Sequence, residues 1–154
     1  RPRGASTIPQ QTAKNLFLTS DYSVRRKLKE IPIALYMDAT ISKEKLLEIY
    51  VNIIEYGPGL YGITDASAVY YGKTPDLLTP KEAGLLALLL PNPKRNSTVF
   101  HDDALKSRAE DVLADMLEQM CELGYLSESE CAEHIATPIS TPARAEQEKR
   151  ADTR

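Results

Sequence analysis

Apolar residues recur at three- and four-residue spacing along most of the chain, and capping residues, glycines and prolines cut that pattern into short segments. Strand-like alternation is nearly absent, and nothing repeats at a solenoid period. The chain therefore reads as all-α. Its 154 residues, 42% of them apolar, suffice for one domain that buries roughly two-thirds of its unfolded surface. That composition excludes collagen-like, mucin-like and wholly disordered chains. The longest uninterrupted apolar run, Leu85–Leu90 with Ala83 and Gly84 before it, is too short to span a bilayer. No basic-then-apolar leader opens the sequence and residue 1 is Arg, so the chain reads as a piece of a longer protein.

The segment boundaries follow from cap chemistry. Gln10–Leu18 predicts a short helix ending at Thr19-Ser20-Asp21, a turn-and-cap cluster. Ser23–Asp38 carries Val24, Leu28, Ile31 and Leu35 at helical spacing, and Pro32 is expected to kink that helix or to start a new one just after Glu30. Ser42 caps a helix with an apolar stripe of Leu46, Leu47, Tyr50, Ile53 and Ile54, which stops at Gly57-Pro58-Gly59 and gives way to a loop. A short helix over Thr64–Tyr71 ends at Gly72. Thr79-Pro80-Lys81-Glu82 combines a capping Thr, a first-turn Pro and a Glu three residues on, and opens a Leu-rich core helix that stops at Pro91. Pro91-Asn92-Pro93 is a turn. Asp102 or Asp103 starts a long helix closed by Gly124, and Ser127-Glu128-Ser129-Glu130 starts a short one through Ile135. Beyond Pro138 no large apolar side chain follows Ser140, which predicts a polar tail or linker. Tyr36, Tyr50, Tyr56, Tyr61, Tyr70 and Tyr71 are expected to pack in the core, and His101 and His134 to lie at surfaces or caps. Cys121 and Cys131 fit no metal-ligand spacing; they read as small buried residues, with a disulfide across a helical hairpin as the alternative.

Charge is divided unevenly. Residues 1–45 hold nine Lys/Arg against four acids, a net of +5, whereas the other 109 residues hold ten against eighteen, a net of −8. A basic segment on an acidic body points to an anionic ligand such as phosphate, pyrophosphate or nucleic acid, or to a solvated basic face. The most informative stretch lies inside it. Gly4-Ala5-Ser6-Thr7-Ile8-Pro9-Gln10-Gln11-Thr12-Ala13-Lys14-Asn15 runs a polar loop into a helix, a natural anion cradle or simply a capped helix start. Gln11 and Lys14 share a helix face by their spacing, and so do Lys27 and Glu30.

These residues resemble the motifs of the family-51 peptidoglycan glycosyltransferases, found in class A penicillin-binding proteins and in monofunctional glycosyltransferases. Gly4–Asn15 is similar to the second motif, and Arg26-Lys27-x-x-Glu30 to the third. Leu47-Glu48-x-Tyr50-x-Asn52, with Gly57, Gly62 and Tyr70-Tyr71-Gly72, is similar to the fourth, and Thr79–Pro93 to the fifth. The resemblance implies a lysozyme-like helical fold at the outer face of the bacterial cytoplasmic membrane. It implies polymerisation of lipid II into β-1,4 glycan strands, with a glycan on undecaprenyl pyrophosphate as donor. By position, Lys14, Lys27 and Arg26 would hold the departing pyrophosphate, and Glu30 would place it directly or through a divalent metal (Mg or Mn), with no organic cofactor. Ser6, Thr7, Gln10, Gln11 and Asn15 would line the donor side, and Asn52 and Glu48 would brace it.

The family's first motif supplies the general base and should precede Arg1; it is not in this chain, so the isolated fragment is expected to be inactive or nearly so. Pro9, Thr64, Asp65 and Ser67 depart from the family's usual residues. The expected organisation is a glycosyltransferase domain over 1–100, helices completing or following it over 101–137, and a tail over 138–154. A non-catalytic module that binds a lipid pyrophosphate or scaffolds cell-wall synthesis is the alternative. Expected partners are lipid II, the membrane surface and a transpeptidase domain, but no nucleic acid, since the basic residues sit inside motifs that the resemblance explains otherwise.

Overall fold

A computed structural model describes residues 6–17 and 24–139, with the side chains of Val24, Arg25 and Arg26 excepted. The Thr19-Ser20-Asp21 turn and the polar tail from Ser140 lie outside the described residues. The fold is helical, as the periodicity predicts, and divides into two compact units between Ile54 and Glu55.

The first unit contains α1 (Ile8–Phe17), α2 (Val24–Thr40) and α3 (Lys43–Ile53), with α1 packed on both partners. Its core is Ala13, Ala34, Met37 and Leu46, flanked by Ile33 and Ile41. Two alanines at the contact let the helices approach closely. Ser42 caps α3, its hydroxyl accepting from the Lys45 N–H at 3.2 Å. Leu46 and Tyr50 form the buried stripe of α3, continued by the buried C-cap residue Ile54, while Leu47 is exposed.

Of the two alternatives for Pro32, a kink or a new helix, the second is excluded: α2 continues through Pro32, and no new helix starts after Glu30. Proline removes the hydrogen bond to the Leu28 carbonyl, and Leu28 and Pro32 both lie on the exposed side of the helix. The spacing of Leu28, Ile31 and Leu35 does not mark the buried side: these residues and Tyr36 are exposed. The inward face is Glu30, Ala34 and Met37, with Glu30 only 2% exposed.

The second unit opens with an antiparallel hairpin, β1 (Glu55–Gly57) and β2 (Leu60–Tyr61), where the sequence predicts only a loop. Strands of two and three residues are too short for alternation to register. Gly59 takes φ 71° at the turn, the left-handed region that glycine enters without strain. Then follow α4 (Ile63–Tyr71), a 3₁₀ turn at Pro75–Leu77, α5 (Pro80–Leu89), the single-turn α6 (Pro93–Asn96) with a 3₁₀ turn at Ser97–Phe100, α7 (Asp103–Glu122) and α8 (Glu128–Ala136). Neither α6 nor the turn after it is foreseen from the Pro91-Asn92-Pro93 signal. Leu85, Leu86 and Leu89 of α5 are buried, as are Leu113 and Leu117 of α7. Gly84 lies at this contact: a Cβ there would meet Met116 Cε and lie 2.9 Å from Leu113 Cδ2, so the end of the Met116 side chain would have to move aside. Tyr70 stacks on Phe100 at 4.2 Å between ring centroids and donates its hydroxyl to the Tyr56 carbonyl at 3.1 Å. Tyr50, Tyr56 and Tyr70 are core residues; Tyr36 and Tyr61 are exposed, which corrects the expectation for those two.

The N-terminus of α5 is tied in two directions. Thr79 and Glu82 form a reciprocal capping box, and Lys73 pairs with both Glu82 carboxylate oxygens at 2.8 and 2.9 Å. Lys81 is buried, pairs with Glu110 of α7, and donates to the Thr137 and Ile135 carbonyls at 2.5 and 3.3 Å. A cation thus meets the last carbonyls of α8, where the helix dipole favours it. Cys121 and Cys131 are joined in a disulfide across the α7–α8 hairpin, with Cα atoms 6.4 Å apart. The buried-thiol expectation is therefore corrected: the short turn after α7 brings the two helices within disulfide reach.

Two stability predictions follow from this unit. The bridge closes ten residues of separation, so reducing it, or changing both cysteines to Ser, is expected to cost about 2–3 kcal/mol in urea unfolding. Burial raises the Glu82 carboxyl, but Lys73 and the Thr79 cap outweigh it and hold the pKa below the ordinary 4.5. A depressed carboxylate stabilises above its unfolded pKa, and that contribution is lost as pH falls through the folded value. Unfolding followed from pH 7 downward is expected to show a flatter acid limb in Glu82→Gln than in the wild type.

Candidate functional site

The polar loop before α1 becomes a helix cap. Thr7 and Gln10 face each other across the first turn: the Gln10 N–H donates to Thr7 Oγ1 and the Thr7 N–H to Gln10 Oε1, each at 3.4 Å. This is the capping-box arrangement, with Gln in the glutamate position. Pro9 lies inside that first turn, where a missing N–H has no carbonyl to abandon, which accounts for its tolerance here. Thr12 is fully buried and returns its hydroxyl to the Ile8 carbonyl at 2.8 Å.

From this cap a line of polar contacts crosses the unit. Lys27 Nζ donates to Glu30 Oε1 at 2.5 Å and to Ser6 Oγ at 3.4 Å. Ser6 also accepts at its carbonyl from Gln11 Nε2, at 3.2 Å. The other end of that amide, Gln11 Oε1, accepts from the Tyr50 hydroxyl at 3.2 Å. The side chains of Lys27 and Glu30 are 46% and 2% exposed, so the ammonium reaches solvent while the carboxylate stays in the protein. Lys27 has three donors, and Glu30 and Ser6 engage two of them. One cation is thus aimed from below by a buried acid and presented at a surface, a geometry suited to an anionic ligand.

The remaining sequence-predicted residues are placed as follows. Lys14 and Asn15 lie exposed in the last turns of α1, Lys14 one turn beyond Gln11 on the same face. The Arg26 side chain lies outside the described residues. Asn52 is exposed on α3 and returns its amide to the Glu48 carbonyl at 2.8 Å, while the Glu48 carboxylate pairs with Lys45 at 2.8 Å. Those contacts are local to α3 and do not join Asn52 or Glu48 to the Lys27 line. Sequence reasoning missed the polar role of Tyr50, which it took as core alone. Its signal was available: a tyrosine on a buried helix face needs a partner for its hydroxyl. No group of three or more His, Cys, Asp or Glu side chains converges among the described residues. Glu30 is engaged by Lys27.

A family profile described as transglycosylase matches residues 1–117. The chain is 54% identical over 91 residues to the biosynthetic peptidoglycan transglycosylase of Shewanella amazonensis, covering 59% of this chain and 37% of that protein. It is 42% identical over 127 residues to penicillin-binding protein 1F of Bacillus subtilis, covering 82% of this chain and 17% of that one. A crystal structure of penicillin-binding protein 1A from Haemophilus influenzae matches with a TM-score of 0.50 at 22% identity, over 90% of this chain and 17% of that one, which shows a shared fold. The chain spans about two-fifths of the length of the peptidoglycan transglycosylases it matches, 42% in the case of Nitrobacter winogradskyi. Since the profile covers most of these 154 residues, the chain belongs to the transglycosylase family, the peptidoglycan glycosyltransferases that its four motifs resemble.

Proposed function

We propose that the protein carrying this chain polymerises lipid II into β-1,4 glycan, and that these residues form the donor-pyrophosphate side of its active site. The observation that carries the reading is the Lys27 ammonium held by buried Glu30 at 2.5 Å and by Ser6. In the reaction, the 4-hydroxyl oxygen of the incoming lipid II bonds to C1 of the donor sugar. The C1–oxygen bond to pyrophosphate breaks with its electron pair, and the hydroxyl proton passes to a general base. Charge therefore grows on the leaving diphosphate, and cations placed beforehand stabilise it without reorganising. Lys27 and Lys14 take that role with Arg26. Glu30 fixes where Lys27 points, and the Thr7–Gln10 cap, with Ser6, Gln11 and Asn15, shapes the loop beside them. The ammonium groups supply that positive charge.

The ligand's other half is apolar, and α2 exposes Leu28, Ile31, Leu35 and Tyr36 on its outer side. An apolar strip beside a cation suits a polyprenyl chain joined to a diphosphate. Among the described residues no helix is long and apolar enough to cross a membrane. The Cys121–Cys131 bridge suits the oxidising, extracytoplasmic side where lipid II is consumed. We assign the general base to a segment outside these 154 residues, so the chain alone binds donor but does not polymerise it.

In the full-length protein, Lys14→Ala or Glu30→Gln is expected to reduce lipid II polymerisation by about 100-fold or more while leaving the helical circular-dichroism spectrum intact; wild-type rates in either would remove that residue from the mechanism. Moenomycin, which mimics the donor in this family, is expected to bind Lys27→Ala more weakly. Intact moenomycin binding by a full-length wild type that never polymerises lipid II would favour the non-catalytic, lipid-pyrophosphate-binding module instead.

A further inference from the structure

We infer that Tyr50 is a positioning residue of the donor site: its buried hydroxyl sets the side-chain amide of Gln11 in the orientation that holds Ser6, and through Ser6 the loop that meets Lys27. The inference rests on the donor-pyrophosphate reading above. Tyr50 is 5% exposed and lies on the same α3 face as buried Leu46, so its ring is fixed by packing. Its hydroxyl leaves that core at one point and reaches Gln11 Oε1 on α1, thirty-nine residues away in sequence, at 3.2 Å. Burial pushes the phenol pKa up from its ordinary 10.0, so the hydroxyl keeps its proton throughout the neutral range and remains a donor.

A glutamine amide has an accepting end and a donating end, and its two neighbours here fix which is which. With the Tyr50 O–H on its oxygen, the amide nitrogen faces the Ser6 carbonyl, to which it donates at 3.2 Å. Reversing the amide would set oxygen against the carbonyl oxygen of Ser6. Ser6 in turn accepts from Lys27 at its hydroxyl. A continuous polar line thus runs from α3 through the start of α1 to the ammonium on α2, alongside the apolar packing of the same helices. Phe at position 50 would keep the ring and remove only the first link.

The test uses the full-length protein. Tyr50→Phe is expected to raise the lipid II KM and the moenomycin Kd by about 3- to 10-fold, the value of one hydrogen bond, with kcat and the melting temperature little changed. In a Gln11→Ala background the same substitution is expected to add nothing, because its effect passes through Gln11. As a second measurement, the two Gln11 side-chain NH₂ resonances should move toward free-amide shifts, and their exchange with solvent should quicken, in Tyr50→Phe. Wild-type KM and Kd in Tyr50→Phe, or an equal effect with and without Gln11, would overturn the positioning role while leaving the donor reading in place. A lowered melting temperature with unchanged KM would likewise reduce Tyr50 to core packing. A wild-type protein that neither polymerises lipid II nor binds moenomycin would instead remove the donor reading, and this inference with it.

Discussion

The first unit is organised around a carboxylate that has left water. Glu30 is 2% exposed on the face of α2 that also carries Ala34 and Met37, and the Lys27 ammonium one turn earlier compensates it. Desolvating an acid costs several kcal/mol unless a partner offsets it, so a helix that turns Glu30 inward needs a cation within reach. The i, i+3 spacing supplies one whose stem follows the helix surface and whose head still meets solvent. This requirement explains the orientation of α2 better than hydrophobicity does. The larger apolar residues Leu28 and Leu35 are left outside, while small Ala34 packs in the core with Ala13. A pair of this kind adds little to stability. Its value lies in directing an ammonium group.

Much of the fold was legible because its helix boundaries are written in cap chemistry. Ser42, Thr79, Asp102 and Ser127 each cap the helix expected of them, and Gly72 ends α4 at φ 65°. Such signals depend on neighbours within four residues, and the sequence displays those directly. What stayed hidden depends on residues far apart. The Lys81 contacts span more than fifty positions, and no local pattern separates this lysine from a solvated one. The inward face of α2 was also unreadable from periodicity, because a charged residue took a place that the apolar stripe would claim.

The candidate site shows the same division. Lys27 and Glu30 were visible as a pair from spacing alone, and the structure joins them. Thr7 and Gln10 read equally well as ligand groups or as a cap, and their contacts are those of a cap. Tyr50 belonged to the core by every local measure. Only the approach of α1 to α3 reveals that its hydroxyl has a polar errand as well.

Helix α5 carries three neighbouring positions with three different obligations. Lys81 answers to α8, Glu82 to Lys73, and Gly84 to α7. The last has a bearing on how the sequence can drift. A methyl group at position 84 would take the space now filled by the end of the Met116 side chain. The two sites therefore share one volume: a methyl group at the first would oblige the thioether end of the second to swing aside, so the freedom of one is set by the size of the other.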